Sequence, residues 1–176
     1  QPGPLAKYYG FTKAEVQALC EKHEMPFEDM MKWYDGYSIG DEPSMFNPAS
    51  VMKAFQYGGC ESFWSATGSF DTVAQYIQLN YEGLKEDITA MLAGASSKVD
   101  VIGFANDPSE VHDKNDVLTI LIHLGYLAYN KQEKTCHVPN YEVGAELRRA
   151  VNSNKWNEVM RSINASDQLL DDLLQN

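Results

Sequence analysis

Gly36, set in the string Trp33-Tyr34-Asp35-Gly36-Tyr37, is the position that most constrains what this chain can fold into. Glycine enters the left-handed backbone region without a Cβ penalty, and it commonly stands just past a helix end. The string therefore reads as a helix whose last turn carries Trp33 and Tyr34 on its buried side and which Gly36 stops. Similar punctuation recurs along the chain. Asn47-Pro48 supplies an N-cap and a first-turn proline, and Gly58-Gly59, Gly94 and Gly125 each close a helical run.

Between these stops the apolar spacing predicts the elements. Thr12 and Glu15 form a capping box, and Val16, Leu19 and Cys20 recur at helical spacing, which predicts a helix over 12–23. A second helix starts near Pro26, with Glu28 and Asp29 at its positive end. Residues 37–46 read as an irregular or short extended link, 48–57 as a helix, and 63–67 as a short buried strand or extended segment. Helices follow to about residue 79, capped by Ser69, and over 81–93. Val99, Val101 and Phe104 predict a strand broken by Asn106-Asp107-Pro108. Asp113 then caps a strongly apolar helix, and the runs 126–129 and 135–138 flank a polar turn as a hairpin. Helix, strand, turn and returning strand make a winged-helix pattern. The helix after Pro139-Asn140 carries Val143, Leu147 and Val151 on one face and places Glu146, Arg148 and Arg149 on a solvated one. A helical tail ends in a stripe of Leu169, Leu170, Leu173 and Leu174. The expected fold is mainly α (α+β): a helical subdomain over 1–95, then a winged-helix-like subdomain with a small β-hairpin over 96–176.

Composition narrows the function classes. No apolar run approaches the ~18 residues of a membrane span, so a soluble, cytoplasmic protein without a membrane partner is expected. Three cysteines without close pairing argue against a disulfide framework. The net charge of -11 works against nucleic acid as a partner, because neutralising phosphates needs surplus Lys and Arg. A local basic set survives that argument: Lys131 and Lys134 in the hairpin and Arg148 and Arg149 on the following helix, with Lys155 and Arg161 beyond.

Catalytic motifs are missing. No glycine is followed by lysine, which excludes a P-loop, and no lysine has an acidic residue two positions before it, which excludes the acidic-x-Lys triplet of a metal-dependent nuclease. Cys20-x-x-His23 and Cys136-His137 are each half of a zinc set at best, and no metal site is expected. The remaining candidate site is a groove formed by Trp33, Tyr34, Asp35 and Tyr37, clustered aromatics with a carboxylate. Simple packing at a helix end accounts for the same residues.

Five strings carry a resemblance. Trp33-Tyr34-Asp35-Gly36-Tyr37 and Phe46-Asn47-Pro48-Ala49-Ser50-Val51 are joined by the run from Tyr9 to Val16, by Leu124-Gly125-Tyr126-Leu127, and by the run from Val138 to Val143. Over about residues 8–165 the chain resembles the middle of bacterial proteins in which an AAA-ATPase-like domain precedes a PD-(D/E)XK nuclease-like domain. The resemblance implies a fragment, non-catalytic by itself: a lid or regulatory and interaction module whose partners are the adjoining ATPase-like and nuclease-like domains or another protein. ATP and magnesium would then belong only to a preceding part. Two alternatives remain, a winged helix that binds nucleic acid and an enzyme with an unrecognised aromatic-acidic pocket.

Overall fold

A computed structural model describes residues 7–40, 42–64, 69–102 and 111–152. The protein is α+β: mainly helical, with two three-stranded antiparallel sheets among the described residues.

The N-terminal core is built around the first sheet. Strand β1 (Phe11–Thr12) runs straight into helix α1 (Lys13–His23), whose capping box is complete: the Thr12 hydroxyl accepts from the Glu15 amide, and the Glu15 carboxylate accepts from the Thr12 amide at 2.8 Å. Helix α2 (Phe27–Tyr34) follows, then strands β2 (Tyr37–Ile39) and β3 (Glu42–Phe46), and helix α3 (Pro48–Tyr57) capped by the Asn47 side chain. β3 lies between β1 and β2. The link expected over 37–46 is thus a hairpin. Pro43 hid it, because a proline argues against a central strand. Here it falls where the β2–β3 register shifts between the pairs Tyr37–Met45 and Ile39–Glu42, so the irregularity absorbs its missing N–H. Val16, Cys20, Met30, Tyr34, Phe46 and Val51 pack beneath.

The C-terminal core gathers helices α4 (Ser69–Gln78), α5 (Leu84–Leu92), α6 (Lys114–His123) and α7 (Tyr141–Asn152) around strands β4 (Ser97–Lys98), β5 (Ala128–Asn130) and β6 (Thr135–His137). Their strand order is β4-β6-β5. Among the described residues the strand expected from Val99 onward sits two residues earlier, and the Val99 amide, donating to the Lys134 carbonyl at 3.1 Å, continues it; Phe104 and the break expected at 106–108 lie outside the described residues. The two clusters of buried apolar side chains part between Phe63 and Val73. Helices α4 and α5, read from the sequence with the first 95 residues, give their apolar faces to the second cluster.

Two further expectations change. Helix α2 stops at Asp35, which is extended (φ -79°, ψ -176°), and not at a left-handed Gly36. Gly36 has φ +108° because the backbone of Pro139 lies against its α-carbon. The polar face of α7 is solvated only in part: Arg149 is exposed, whereas Glu146 is buried and Arg148 is half-buried. The leucine stripe at 169–174, Lys155, Arg161 and residues 65–67 of the expected extended segment lie outside the described residues. No helix among the described residues is long and apolar enough to cross a membrane.

Candidate functional site

The four aromatic-acidic residues of the sequence reading do not share one groove. Trp33 packs edge-on against Tyr141 at the start of α7, with ring centroids 4.7 Å apart. Tyr34 is fully buried; its hydroxyl donates to the Glu61 carbonyl at 3.0 Å and accepts from the Glu61 amide at 2.9 Å. The Asp35 carboxylate accepts from the Ser44 hydroxyl at 2.8 Å. Tyr37 donates to the Gly125 carbonyl at 2.7 Å, crossing from one core to the other. Burial pushes both the Tyr34 and Tyr37 phenols upward from their ordinary range, so neither is poised as a proton-transfer group. Tyr34→Phe leaves the donor and acceptor of Glu61 without their partner. It should cost about 1–3 kcal/mol in urea unfolding; an unchanged midpoint would show that water replaces the phenol.

Tyr37 does line a cleft, an open one of about 300 Å³ at the seam between the cores. Phe46 and Pro48 wall it from the N-terminal core, and His123, Leu124 and Gly125, at the end of α6, wall it from the other. Trp64 closes one side, edge-on to Tyr126 with centroids 4.8 Å apart. The lining is mostly aromatic and apolar, with Asn47 and His123 as its polar members, which suits a contact surface.

The strongest polar feature at the seam was not singled out in the sequence. Glu142 in the first turn of α7 is 0% exposed, and Glu146, one turn on, is 1% exposed. Each carboxylate takes at least one donor from the N-terminal segment. Glu142 accepts from the Ser50 hydroxyl of α3 at 2.8 Å and from the Phe63 amide at 2.8 Å. Glu146 accepts from the Ser62 hydroxyl at 2.6 Å and from Arg149 at 3.2 Å. Burial drives the Glu142 carboxyl upward from its ordinary range, against the two hydrogen bonds that favour its charged form. Asn140 completes the seam: its amide nitrogen donates to the Asp35 carbonyl at 2.9 Å while its oxygen caps α7 at the Val143 amide, 3.0 Å away. The i,i+4 spacing beside Val143 and Leu147 was the available signal. It was masked because a carboxylate on an amphipathic helix is normally solvated.

The basic set is divided. Lys131 and Lys134 sit exposed in the hairpin turn, whose Asn130 side chain accepts from the amides of Gln132 and Glu133. Arg148 donates to the Leu92 carbonyl at 3.3 Å, and Arg149 is held by Glu146. In the half-zinc pairs the cysteines belong to the cores, while His23 is exposed and His137 half-buried. Cys20 and Cys136 are buried, the Cys136 thiol is pushed up to about 12 by burial, and His23 packs against the Phe55 ring. Among the described residues no cluster of three or more His, Cys, Asp or Glu is placed to hold a metal ion.

Comparison with known proteins finds no family model, curated protein or solved structure that matches this chain.

Proposed function

We propose that this chain is a non-catalytic coupling and interaction module of a larger AAA-ATPase-like, nuclease-associated protein. The observation that carries the reading is the seam itself. Helix α7 belongs to the C-terminal core yet ends its buried carboxylates on Ser50, Ser62 and Phe63 of the N-terminal segment, so a displacement of one core is passed to the other. A structure meant only to be stable gains little from burying carboxylates, whereas a seam that must hold one register uses them well. The cleft adds to this, because whatever touches Tyr37 and Leu124 together touches both cores. The C-terminal part is read as a winged-helix-like unit. The order β4-β6-β5, with the β5–β6 hairpin after α6, supports that reading. The five strings quoted above remain the sole link to the ATPase-like family.

The exposed Lys131 and Lys134 favour one second reading, a winged helix on nucleic acid. Against it, Arg148 and Arg149 are already engaged and the net charge is -11. The protein is expected to give no heat on titration with ATP and magnesium, and no mobility shift of a random duplex at ~100 mM salt. Micromolar ATP affinity would sink the coupling reading. A salt-sensitive shift that disappears in Arg148→Glu with Arg149→Glu would replace it with the nucleic-acid one.

A further inference from the structure

We propose that Glu142 makes the seam between the two cores proton-linked, so that closing the seam favours proton uptake at this carboxylate and opening it favours release. The geometry points to it in three ways. First, Glu142 is 0% exposed and its two oxygens are covered from the N-terminal segment: they face the Ser50 hydroxyl and the Phe63 amide, both across the seam at 2.8 Å. Separation of the cores would hydrate it. Second, no strong counter-charge sits on it, since neither of the ion pairs found among the described residues includes Glu142. The charged and titratable groups that face it are Lys53 of α3, the phenols of Tyr34 and Tyr37, the Cys60 thiol and Glu146 on its own helix. Lys53 favours the carboxylate, whereas burial and the neighbouring Glu146, itself held by Arg149, oppose it.

Third, the seam survives either protonation state. When Glu142 is ionised, Ser50 and Phe63 both donate to it. When it is protonated, the oxygen facing Phe63 keeps that bond, while the new O–H donates to the Ser50 hydroxyl, which is acceptor as well as donor. The proton that enters thus costs no hydrogen bond across the seam.

The sign follows from linkage. Closure raises the proton affinity of Glu142, so the protonated contribution to closure is complete below the ordinary carboxylate value and is lost as pH rises through the closed-state value. Acidification from neutral pH toward the ordinary carboxylate value therefore tightens the seam. The inference needs only the junction, not the coupling role proposed above.

Hydrogen exchange of the Phe63 amide in the intact protein, expressed as a protection factor to remove the intrinsic pH dependence, reads the seam directly. Protection should rise on that acidification in the wild type and stay flat in Glu142→Gln, which keeps the shape and removes the proton site. A flat wild-type profile, or an equal slope in Glu142→Gln, overturns the proposal. If the variant does not fold, the carboxyl carbon of Glu142 in the wild type decides the matter by NMR titration: a midpoint above that of the exposed glutamates supports the proposal, and one at or below them overturns it.

Discussion

Gly36→Val, at a half-buried glycine, should destabilise the protein by about 3 kcal/mol or more. Two causes act together. At φ +108° a side chain is strained before it meets anything, at about 1–2 kcal/mol for leaving the region that L-residues prefer. In addition, a Cβ at this position would overlap the Pro139 carbonyl oxygen and stand 2.6 Å from the carbonyl carbon, and that atom is backbone, which cannot rotate away. The chain would have to part at the point where α2 meets the approach to α7, close to the bond from Asn140 to the Asp35 carbonyl. Gly58→Val is the matched control. Gly58 also has positive φ, at +74°, but nothing lies within 4 Å of its Cβ position, so only the ~1–2 kcal/mol backbone term applies. Urea unfolding of both variants separates the two causes. Equal losses at the two positions would mean that Pro139 yields and that the close approach carries no energy.

Glu142→Ala is the second large effect, expected at about 2–5 kcal/mol, because it leaves the Ser50 hydroxyl and the Phe63 amide buried and unpaired at about 1–3 kcal/mol each. Glu142→Gln should cost far less. The amide oxygen still accepts from Phe63, and the amide nitrogen donates to the Ser50 oxygen, so both bonds across the seam remain. The loss in the alanine variant is also expected to be uneven. With the seam broken, unfolding followed through Trp33, which lies on Tyr141 of α7, should move to lower urea than unfolding followed by helical circular dichroism. If Glu142→Ala unfolds at the wild-type midpoint in a single transition, the buried carboxylate is not what holds the cores together.

Several elements were legible in the residues because their causes are local. The Thr12–Glu15 box, the Asn47 cap with Pro48 in the first turn, the Gly58 stop, the Asp113 cap and the hairpin around 131–134 all form from side chains within a few positions of one another. The first sheet was not legible. Its strands are short, its central strand contains Pro43, and the pairing of Phe11 with Phe46 spans a distance in sequence that no local pattern encodes. The candidate groove suffered the same way: Trp33, Tyr34, Asp35 and Tyr37 are adjacent in sequence but turn to Tyr141, Glu61, Ser44 and Gly125 respectively.

By itself the sequence determined the locally capped helix ends, and that no P-loop or acidic-x-Lys triplet is present. Only the tertiary structure decided what these are for. Gly36 is required by Pro139, more than a hundred residues along the chain, and not by the end of its own helix. Glu142 and Glu146, which any helical wheel places beside the apolar stripe, face solvent or a second core according to whether α3 and the segment carrying Ser62 and Phe63 close over them. Caps and stops depend on interactions a few ångströms and a few residues long, so the chain states them directly; burial of a charge depends on which distant surface arrives, and only the packed fold supplies it.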